Sequence, residues 1–496
     1  MAVSPHPTGL RPIACAYGRS DFEPLLGKPF PAIFFIIETV AAARHRTIKE
    51  MANSDQDGNG TNSSPENSRR IPQMLRALRH RNFQLFFSGQ LISLVGVWMD
   101  NIAEAWLVYR LTGSSLLLGT VAFASQIPVF LLAPIGGMVA DRWNRQRIVI
   151  ATQTLSMVLA GVLAALTLTH TVRVWEVVVL AALMGAVNAF DIPARQAFLV
   201  DMVGREDLMN AIALNSSMFN GARVIGPSIA GILVASIGEG WCFAANSISY
   251  IAVIAGLIMM RVNRAPVETR QVSPYEHIVE GFKFVWNTGP IRALLLLLGL
   301  VSLVAMPYSV LMPVIAAKVL HGDARTLGVL MCATGVGALA GALTLATRTG
   351  VQGLGRWVAL ACASFGTALI LFSFSHWYFL SVALLVPVGF SMMVQMASSN
   401  TLIQAMVPDR LRGRAMAVYS MMFMGMAPMG ALLSGWSAEH IGAQRTLTIG
   451  GVGAIVGAVF FARNLPKIRV EARQLIVAQN MAGGEPVEEM SARGVQ

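Results

Sequence analysis

One segment of the chain recurs at an offset of 204 residues, and both copies lie in long apolar stretches. Residues 202–238 align with residues 406–442 without a gap. The repeated positions are Met202, Val203, Ala211, Ala213, Ser216, Met218, Phe219, Gly221, Gly226, Gly231, Ile237 and Gly238, matched by Met406, Val407, Ala415, Ala417, Ser420, Met422, Phe423, Gly425, Gly430, Gly435, Ile441 and Gly442. A duplicated apolar chain predicts two pseudo-symmetric halves with a site between them.

The composition indicates an all-α membrane protein. Hydrophobic residues make up 55% of the chain and charged residues only 13%, whereas soluble domains average about 25% charged residues. Apolar stretches of about 20 residues, long enough to cross about 30 Å of hydrocarbon, recur along the chain. The predicted spans are 83–110, 115–140, 148–169, 175–197, 210–237, 241–260, 291–316, 325–347, 356–375, 377–405, 414–439 and 443–462.

Basic residues predict how the chain crosses the bilayer. They cluster before the first span, after the second, before the eleventh and after the last, at Arg69, Arg70, Arg76, Arg79, Arg81, Arg142, Arg145, Arg147, Arg410, Arg412, Arg414, Arg463, Lys467, Arg469 and Arg473. The positive-inside rule then places both termini in the cytoplasm of a multi-pass protein of the cell (inner or plasma) membrane. The same bias accounts for the net charge of +11 without nucleic acid as a partner.

Five segments follow from this pattern. Residues 71–260 form an N-terminal six-helix bundle, 261–290 a cytoplasmic linker, 291–462 a C-terminal six-helix bundle and 463–496 a cytoplasmic tail. Residues 1–70 are interpreted as a disordered or mis-annotated extension. Residues 30–43 are too short to span a membrane and contain Glu38, so we interpret Met51 as the true start; a real cytoplasmic tail is the alternative.

The sequence contains little that predicts enzymatic or ATP-driven chemistry. The four cysteines are scattered, at Cys15, Cys242, Cys332 and Cys362, which predicts neither a disulfide framework nor a metal or cofactor site. The short loops between spans contain no nucleophile–base set, and no GxxxxGK[ST] sequence is present. We therefore predict a protein that is not an enzyme and is not driven by ATP.

The loop after the second span carries a recognisable charge pattern. It combines a small residue, an acid at the membrane edge and a basic cluster, at Gly137, Asp141, Arg142, Arg145 and Arg147. An acid in this place can cap a neighbouring helix or pair with arginines. The string resembles the signature loop of the major facilitator superfamily, roughly G-x-x-x-D-R-x-G-R-x-R/K. Asn144 replaces a glycine of that pattern, and asparagine tolerates the left-handed conformation well.

The fifth span adds a second resemblance. Pro227 frees a backbone carbonyl, while the small residues around it allow close helix packing, at Gly221, Gly226 and Gly231. This segment is similar to the Gly-Pro element of the antiporter branch of that superfamily. With the first span and the end of the fourth, it resembles the exporter subgroup of enterobactin-type siderophore exporters and macrolide or multidrug effluxers, over residues 76–465. The resemblance implies the major facilitator fold, with a loop that gates the cytoplasmic side.

Charges inside the spans require an explanation, because each costs at least about 2.5–3.5 kcal/mol in the bilayer. Asp100 and Glu104 lie one helical turn apart on one face of the first span. Each carboxylate opposes ionisation of the other, which makes reversible proton binding near neutral pH feasible. Arg223, in the fifth span, needs an acidic partner, and Asp100 is the first candidate. Coupling through Asp100, coupling through Glu104 and a static Asp100–Arg223 pair remain open.

Two further groups of polar residues are candidates for function. Asp191 and Arg195, at the cytoplasmic end of the fourth span, are predicted to reach Arg142 or Asp141 in a gating network. Side chains that could line a cavity or bond across helices are Gln90, Gln126, Asn188, Asn215, Asn220, Gln395 and Asn400.

The leading hypothesis is a monomeric, proton-driven exporter of an amphipathic small molecule, such as a drug or siderophore, that works by alternating access. Within transport, an uptake symporter or a lysophospholipid mover of the same fold is the alternative. A non-transporting membrane receptor is the alternative of another class, although the tails are too short and polar for a signalling domain.

Overall fold

The computed structural model of the chain describes residues 73–262, 274–348 and 350–482. Within these residues, twelve helices are long and apolar enough to cross a membrane. They are α1 (Arg81–Thr112), α2 (Ser115–Arg142), α3 (Arg145–Leu168), α4 (Val174–Val203), α5 (Leu208–Ile237), α6 (Glu239–Ile258), α7 (Gly289–Val319), α8 (Ala324–Ala346), α9 (Leu354–Ser373), α10 (Tyr378–Met406), α11 (Asp409–Ile441) and α12 (Ala443–Ala482). The extension at 1–70, residues 263–273 of the linker and residues 483–496 of the tail lie outside the described residues.

Local sequence explains where the first helices begin and end. Gly113 ends α1 in the left-handed conformation, with φ of 63°. The Ser114 hydroxyl then caps α2 by accepting a hydrogen bond from the Leu117 amide at 3.3 Å. Asn144 caps α3 in the same way, accepting from the Arg147 amide at 3.2 Å. Its φ is −68°, so Asn144 replaces the glycine of the signature loop as a helix cap and not as a left-handed residue.

Two helices differ from the hydropathy prediction. The regular part of α7 ends at Val304, and a 3₁₀ turn, Met306–Leu311, and a short π-helical turn, Ile315–Val319, follow. Pro307 and Pro313 lack the amide hydrogens that a regular helix would use there. In contrast, α12 continues through Pro466 to Ala482, beyond the end predicted at residue 462. The prediction ended where the apolar residues end, whereas a helix can continue with polar and charged residues.

The two halves have the same internal packing order. In the N-terminal half, neighbouring helices follow one another as α5, α1, α6, α3, α4 and α2. In the C-terminal half, the order is α11, α7, α12, α9, α10 and α8. The halves meet where α2 packs on α11 and α5 packs on α8. This exchange of equivalent helices is the pseudo-two-fold arrangement that the sequence repeat predicts, and it confirms the predicted fold class.

Repeated glycines make close backbone contacts between the halves. A Cβ atom on Gly231 of α5 would lie 3.1 Å from the Gly328 Cα of α8. A Cβ atom on Gly435 of α11 would lie 2.9 Å from the Gly119 Cα of α2. Side chains at these positions would therefore separate the helices, which explains why glycine occurs in both copies of the repeat.

These contacts close the molecule at one end only. We call the end with the α2–α3 loop and the start of α5 the basic end, and the end with the α1–α2 and α11–α12 loops the opposite end. Ala213 lies five full turns before Gly231, on the same face of α5, yet Ala213 is exposed. Ala417 of α11 is exposed in the same relation to Gly435. The faces that join the halves at the opposite end are therefore uncovered at the basic end.

Candidate transport site

The membrane-embedded acids of α1 lie against α6. The Asp100 Oδ1 atom is buried and has no hydrogen-bond partner, whereas Asn246 on α6 is a side-chain hydrogen-bonding neighbour of the carboxylate. Asn246 is itself 1% exposed. Glu104 lies one turn further along α1, within electrostatic range of Asp100. The structure thus places two carboxylates together in a largely apolar interior, with no cation paired to either among the described residues.

Arg223 does not pair with Asp100, and this part of the prediction was wrong. The Arg223 guanidinium lies over the Trp98 ring at 5.6 Å, and Phe219 packs edge-on against the same ring at 5.5 Å. Trp98 and Asp100 are two residues apart on α1 and therefore point about 200° apart. Arg223 contacts the face of α1 that meets α5, whereas Asp100 is on the face that meets α6. Among the described residues, Arg223 forms no ion pair.

Tyr308 of α7, which was not predicted from the sequence, lies within electrostatic range of Arg223. Tyr308 is 3% exposed in the irregular part of α7 and packs edge-on against Phe365 of α9 at 6.0 Å. Arg223 and Thr334 of α8 are its polar neighbours. Helices α1, α5, α7 and α8 therefore meet around Arg223, at the junction of the halves. The two prolines that interrupt α7 were the only sequence signal for this arrangement.

A series of polar side chains leads from Asp100 through the interior of the N-terminal half. Tyr250 of α6 is buried, at 5% exposed. Its polar neighbours are Asn246 and Ser156, and it lies within electrostatic range of both Asp100 and Asp191. Tyr250 is therefore placed between the acids of α1 and the acid near the basic end of α4. Neither Asn246 nor Tyr250 was predicted, because each occurs singly in an apolar span.

Asp191 ends this series in a tightly bonded position. It is 3% exposed and accepts hydrogen bonds from the Thr152 hydroxyl at 2.8 Å and the Gln153 amide at 3.0 Å. Arg195, one turn further along α4, pairs with it at 3.2 Å. The predicted contact of Asp191 and Arg195 with the α2–α3 loop is absent among the described residues, since Asp191 points into the bundle towards α3.

The signature loop uses a different ion pair. Arg145 binds Asp201 of α4 at 3.1 Å, while Asp141 and Arg142 are exposed. Arg147 is exposed as well. The close approach of α2 to α4 depends on Gly136, where a Cβ atom would collide with the Ala189 carbonyl.

Gly137 of the signature loop faces open space, as does Gly221 of α5. The expectation that Gly221 allows close helix packing was therefore wrong. The other small residues of the fifth span do pack: a Cβ atom on Gly226 would collide with Trp98. Pro227 has no amide hydrogen, so the Arg223 carbonyl one turn earlier receives no helical hydrogen bond from it. That carbonyl lies against Gly335 of α8, where it would be 2.9 Å from a Cβ atom added to Gly335.

The predicted cavity residues fall into two groups. Gln90 and Gln395 are each 2% exposed, with one amide atom buried and unbonded, so neither lines an open cavity in this conformation. Asn220 bonds to a carbonyl of its own helix, that of Ser216, at 2.9 Å. The others are partly exposed and thus accessible to a ligand, namely Gln126, Asn188, Asn215 and Asn400.

Comparison with known proteins agrees with this architecture. Residues 73–493 match the family described as transmembrane secretion effectors. The chain is 28% identical to the staphyloferrin A transporter of Staphylococcus aureus over 76% of its own length and 95% of that protein. It is also 28% identical to the multidrug efflux pump Tap of Mycolicibacterium fortuitum, over 74% of its own length and 91% of that protein. The enterobactin exporter EntS of Citrobacter koseri is 23% identical, over 79% and 93%.

Solved structures share the fold at low sequence identity. The nucleoside transporter NupG superimposes with a TM-score of 0.61 at 13% identity, covering 79% of this chain and 99% of that one. A bacterial homologue of the lysosomal transporter Spinster, in an inward-facing and unoccupied conformation, gives 0.57 at 14% identity, covering 82% and 99%. The protein is therefore a multi-pass secondary transporter of the major facilitator superfamily. Within it, the chain belongs to the transmembrane secretion effector family.

Proposed function

We propose that this transporter exports an amphipathic small molecule in exchange for protons, as a monomer in the inner or plasma membrane with both termini in the cytoplasm. The main support is the charge arrangement in the spans. The Oδ1 atom of Asp100 is buried without a hydrogen-bond partner, and the carboxylate has an amide, Asn246, and no cation beside it. Arg223 has no carboxylate partner among the described residues. Charges in a bilayer are costly unless they are paired or take part in transport. A static ion pair would explain both residues structurally, and that pair is not formed.

The export direction is supported by the relatives. The enterobactin exporter and the Tap pump are exporters by name, and the staphyloferrin A transporter is named for a siderophore. If the basic end is cytoplasmic, the conformation is inward-facing, with the opposite end closed. A substrate would then enter from the cytoplasm, between the uncovered faces of α5 and α11.

The residues around Arg223 fit an amphipathic molecule that carries an aromatic or anionic group. Trp98 and Phe219 offer aromatic surface beside the guanidinium, and the irregular segment of α7 borders it from the other half. Interrupted helices at the junction of the two halves commonly form transporter binding sites. The substrate would thus contact both halves, as alternating access requires.

Protons would act through the acids of α1. When the opposite end opens, Asp100 and Glu104 bind protons; when the basic end opens, the protons leave by way of Tyr250 and Asp191. Protonation removes charge from the bilayer interior and so favours the conformation in which the acids are least hydrated. A membrane potential of 100 mV adds about 2.3 kcal/mol per charge moved, enough to bias the cycle.

The test is transport by the purified full-length protein in liposomes with an imposed pH gradient. Siderophores, macrolides and lipophilic cations are added in turn, and a pH dye reports proton movement. We expect substrate-dependent proton flux in the native protein and its loss in Asp100→Asn, with Glu104→Gln measured alongside. Glu176→Gln serves as the control, because Glu176 only caps α4 by accepting from the Arg173 amide.

Proton flux that is unchanged in both Asp100→Asn and Glu104→Gln would reject the carboxylate mechanism. Substrate movement in the same direction as the protons would favour the alternative of an uptake symporter. Transport of a fluorescent lysophospholipid alone, with none of the other compounds, would identify the protein as a lipid mover.

A further inference from the structure

A groove lies on the outer surface of the N-terminal half, away from the proposed substrate route; it meets the proposed proton route only at Thr152, which lines the groove and donates to Asp191. It has a volume of about 2100 Å³ and is bordered by α3, α4 and the end of α2. Its walls are apolar side chains that are half exposed, including Leu155 at 53%, Val158 at 51% and Leu183 at 48%. These residues lie on the sides of α3 and α4 that face away from the junction of the two halves. The groove therefore opens towards the lipid and not towards the substrate route.

The mouth of this groove, at the basic end, is rich in arginine. Four arginines border it, Arg142, Arg145, Arg147 and Arg205, against only two acids, Asp141 and Asp201.

Only Arg145 is neutralised at this mouth, by Asp201 at 3.1 Å. The other three arginines form no ion pair with any described residue. The positive-inside bias explains why arginines occur at this end of the protein, but it does not explain an open apolar groove directly beneath them.

The dimensions suit one lipid leaflet. Residues Arg145 to Val158 of α3 rise by about 20 Å, and half of the hydrocarbon core of a bilayer is about 15 Å thick. Trp143, 70% exposed beside the mouth, has the amphipathic character of side chains found at the level of the lipid headgroups. Apolar walls of this depth under a cationic mouth match an acyl chain attached to a negatively charged headgroup.

We propose that this groove is a binding site for an anionic phospholipid of the leaflet at the basic end. The phosphate would contact Arg142, Arg147 and Arg205, and an acyl chain would lie along Leu155 and Val158. Because Arg145 and Asp201 join α3 to α4 beside the headgroup, a bound lipid would hold these helices together. This proposal does not depend on which substrate is transported.

Binding can be measured directly by native mass spectrometry of the full-length protein in detergent, with added phosphatidylglycerol or phosphatidylcholine. We expect phosphatidylglycerol to bind more tightly, and the Arg147→Gln/Arg205→Gln double variant to lose that preference. An arginine near an anionic headgroup contributes about a fivefold change in affinity, so the double variant should bind about 25-fold more weakly. Inorganic phosphate at equal concentration should not compete, because it lacks the acyl chain.

Filling the groove provides a second test with a matched control. Val158→Trp, and separately Leu155→Trp, place a large side chain where the acyl chain would lie. Leu360→Trp makes the same kind of change on α9, the counterpart of α3, where Leu360 is 70% exposed.

We expect the two groove variants to bind less phosphatidylglycerol and Leu360→Trp to bind as the native protein does. Equal binding by all three, loss of binding only in proteins that elute as aggregates, or displacement of the lipid by inorganic phosphate would each overturn the proposal.

Discussion

Asp191 is the residue whose role in stability is most directly predictable. Asp191→Ala would leave Arg195 unpaired and the Thr152 and Gln153 donors unsatisfied in the interior. Hydrogen bonds to a charged group contribute about 1.5–3 kcal/mol each, so we expect a clear loss of thermal stability in detergent. Asp191→Asn keeps an oxygen that accepts from both donors and should lose much less. If Asp191→Ala unfolded at the same temperature as the native protein, these hydrogen bonds would not contribute to its stability.

At the scale of residues, the charged residues within the spans could be predicted from the sequence, but the side chains that they contact could not. Asp100, Glu104 and Arg223 were selected correctly as charges within spans, yet the Asp100–Arg223 pair was wrong. The position along a span gives depth in the bilayer, but the direction of a side chain depends on which helix packs on which face. For the same reason, Asn246 and Tyr250 could not be distinguished from ordinary polar residues until α6 was placed against α1.

At the scale of helices, one carboxylate links the two halves at the opposite end. The Glu439 Oε2 atom, near the end of α11, accepts hydrogen bonds from the Ser115 amide at 2.7 Å, the Leu116 amide at 3.2 Å and the Ser114 hydroxyl at 3.1 Å. A carboxylate at a helix N-terminus also interacts favourably with the helix dipole. The equivalent helix in the other half, α8, is capped within that half, by Asp323.

This asymmetry predicts that Glu439 stabilises the conformation closed at the opposite end. Glu439 is exposed, so solvent screens its hydrogen bonds and their loss in Glu439→Ala should cost about 0.5–1 kcal/mol. The open population should therefore rise about twofold to fivefold. Spin labels on the α1–α2 and α11–α12 loops would report the distance between the halves. Asp323→Ala removes a comparable cap without a link between halves and should leave the distance distribution unchanged. A similar shift in both variants would show that helix capping alone is responsible.

Helix prediction depended on hydropathy, and its errors have physical causes. The twelve spans were confirmed within the described residues, because each crosses the bilayer as one long apolar stretch. The interruption of α7 was missed, since Pro307 and Pro313 change hydrogen bonding while leaving the segment apolar. The extension of α12 was missed for the converse reason: its last turns carry charged residues but still form a helix.

At the scale of the whole molecule, the repeat predicted two equivalent halves, but not which end would be closed. Which end is closed depends on a small difference in free energy between two conformations that have nearly the same contacts within each half. Alternating access requires the joined faces of α2 with α11 and α5 with α8 to separate at one end and meet at the other. The repeated residues on those faces are therefore expected to affect the conformational equilibrium symmetrically.

Gly231→Val and Gly435→Val test this symmetry. Each adds a side chain where a Cβ atom would lie about 3 Å from the backbone of the opposing helix, at Gly328 or Gly119, so each should push the halves apart at the opposite end and favour the other conformation. Gly221→Val, in the same helix as Gly231 but facing open space, is the matched control. Distances between spin labels at the opposite end should lengthen in both test variants and remain native in the control. A shift in only one would mean that the two interfaces do not move together, and a rigid rocking of two halves would have to be abandoned.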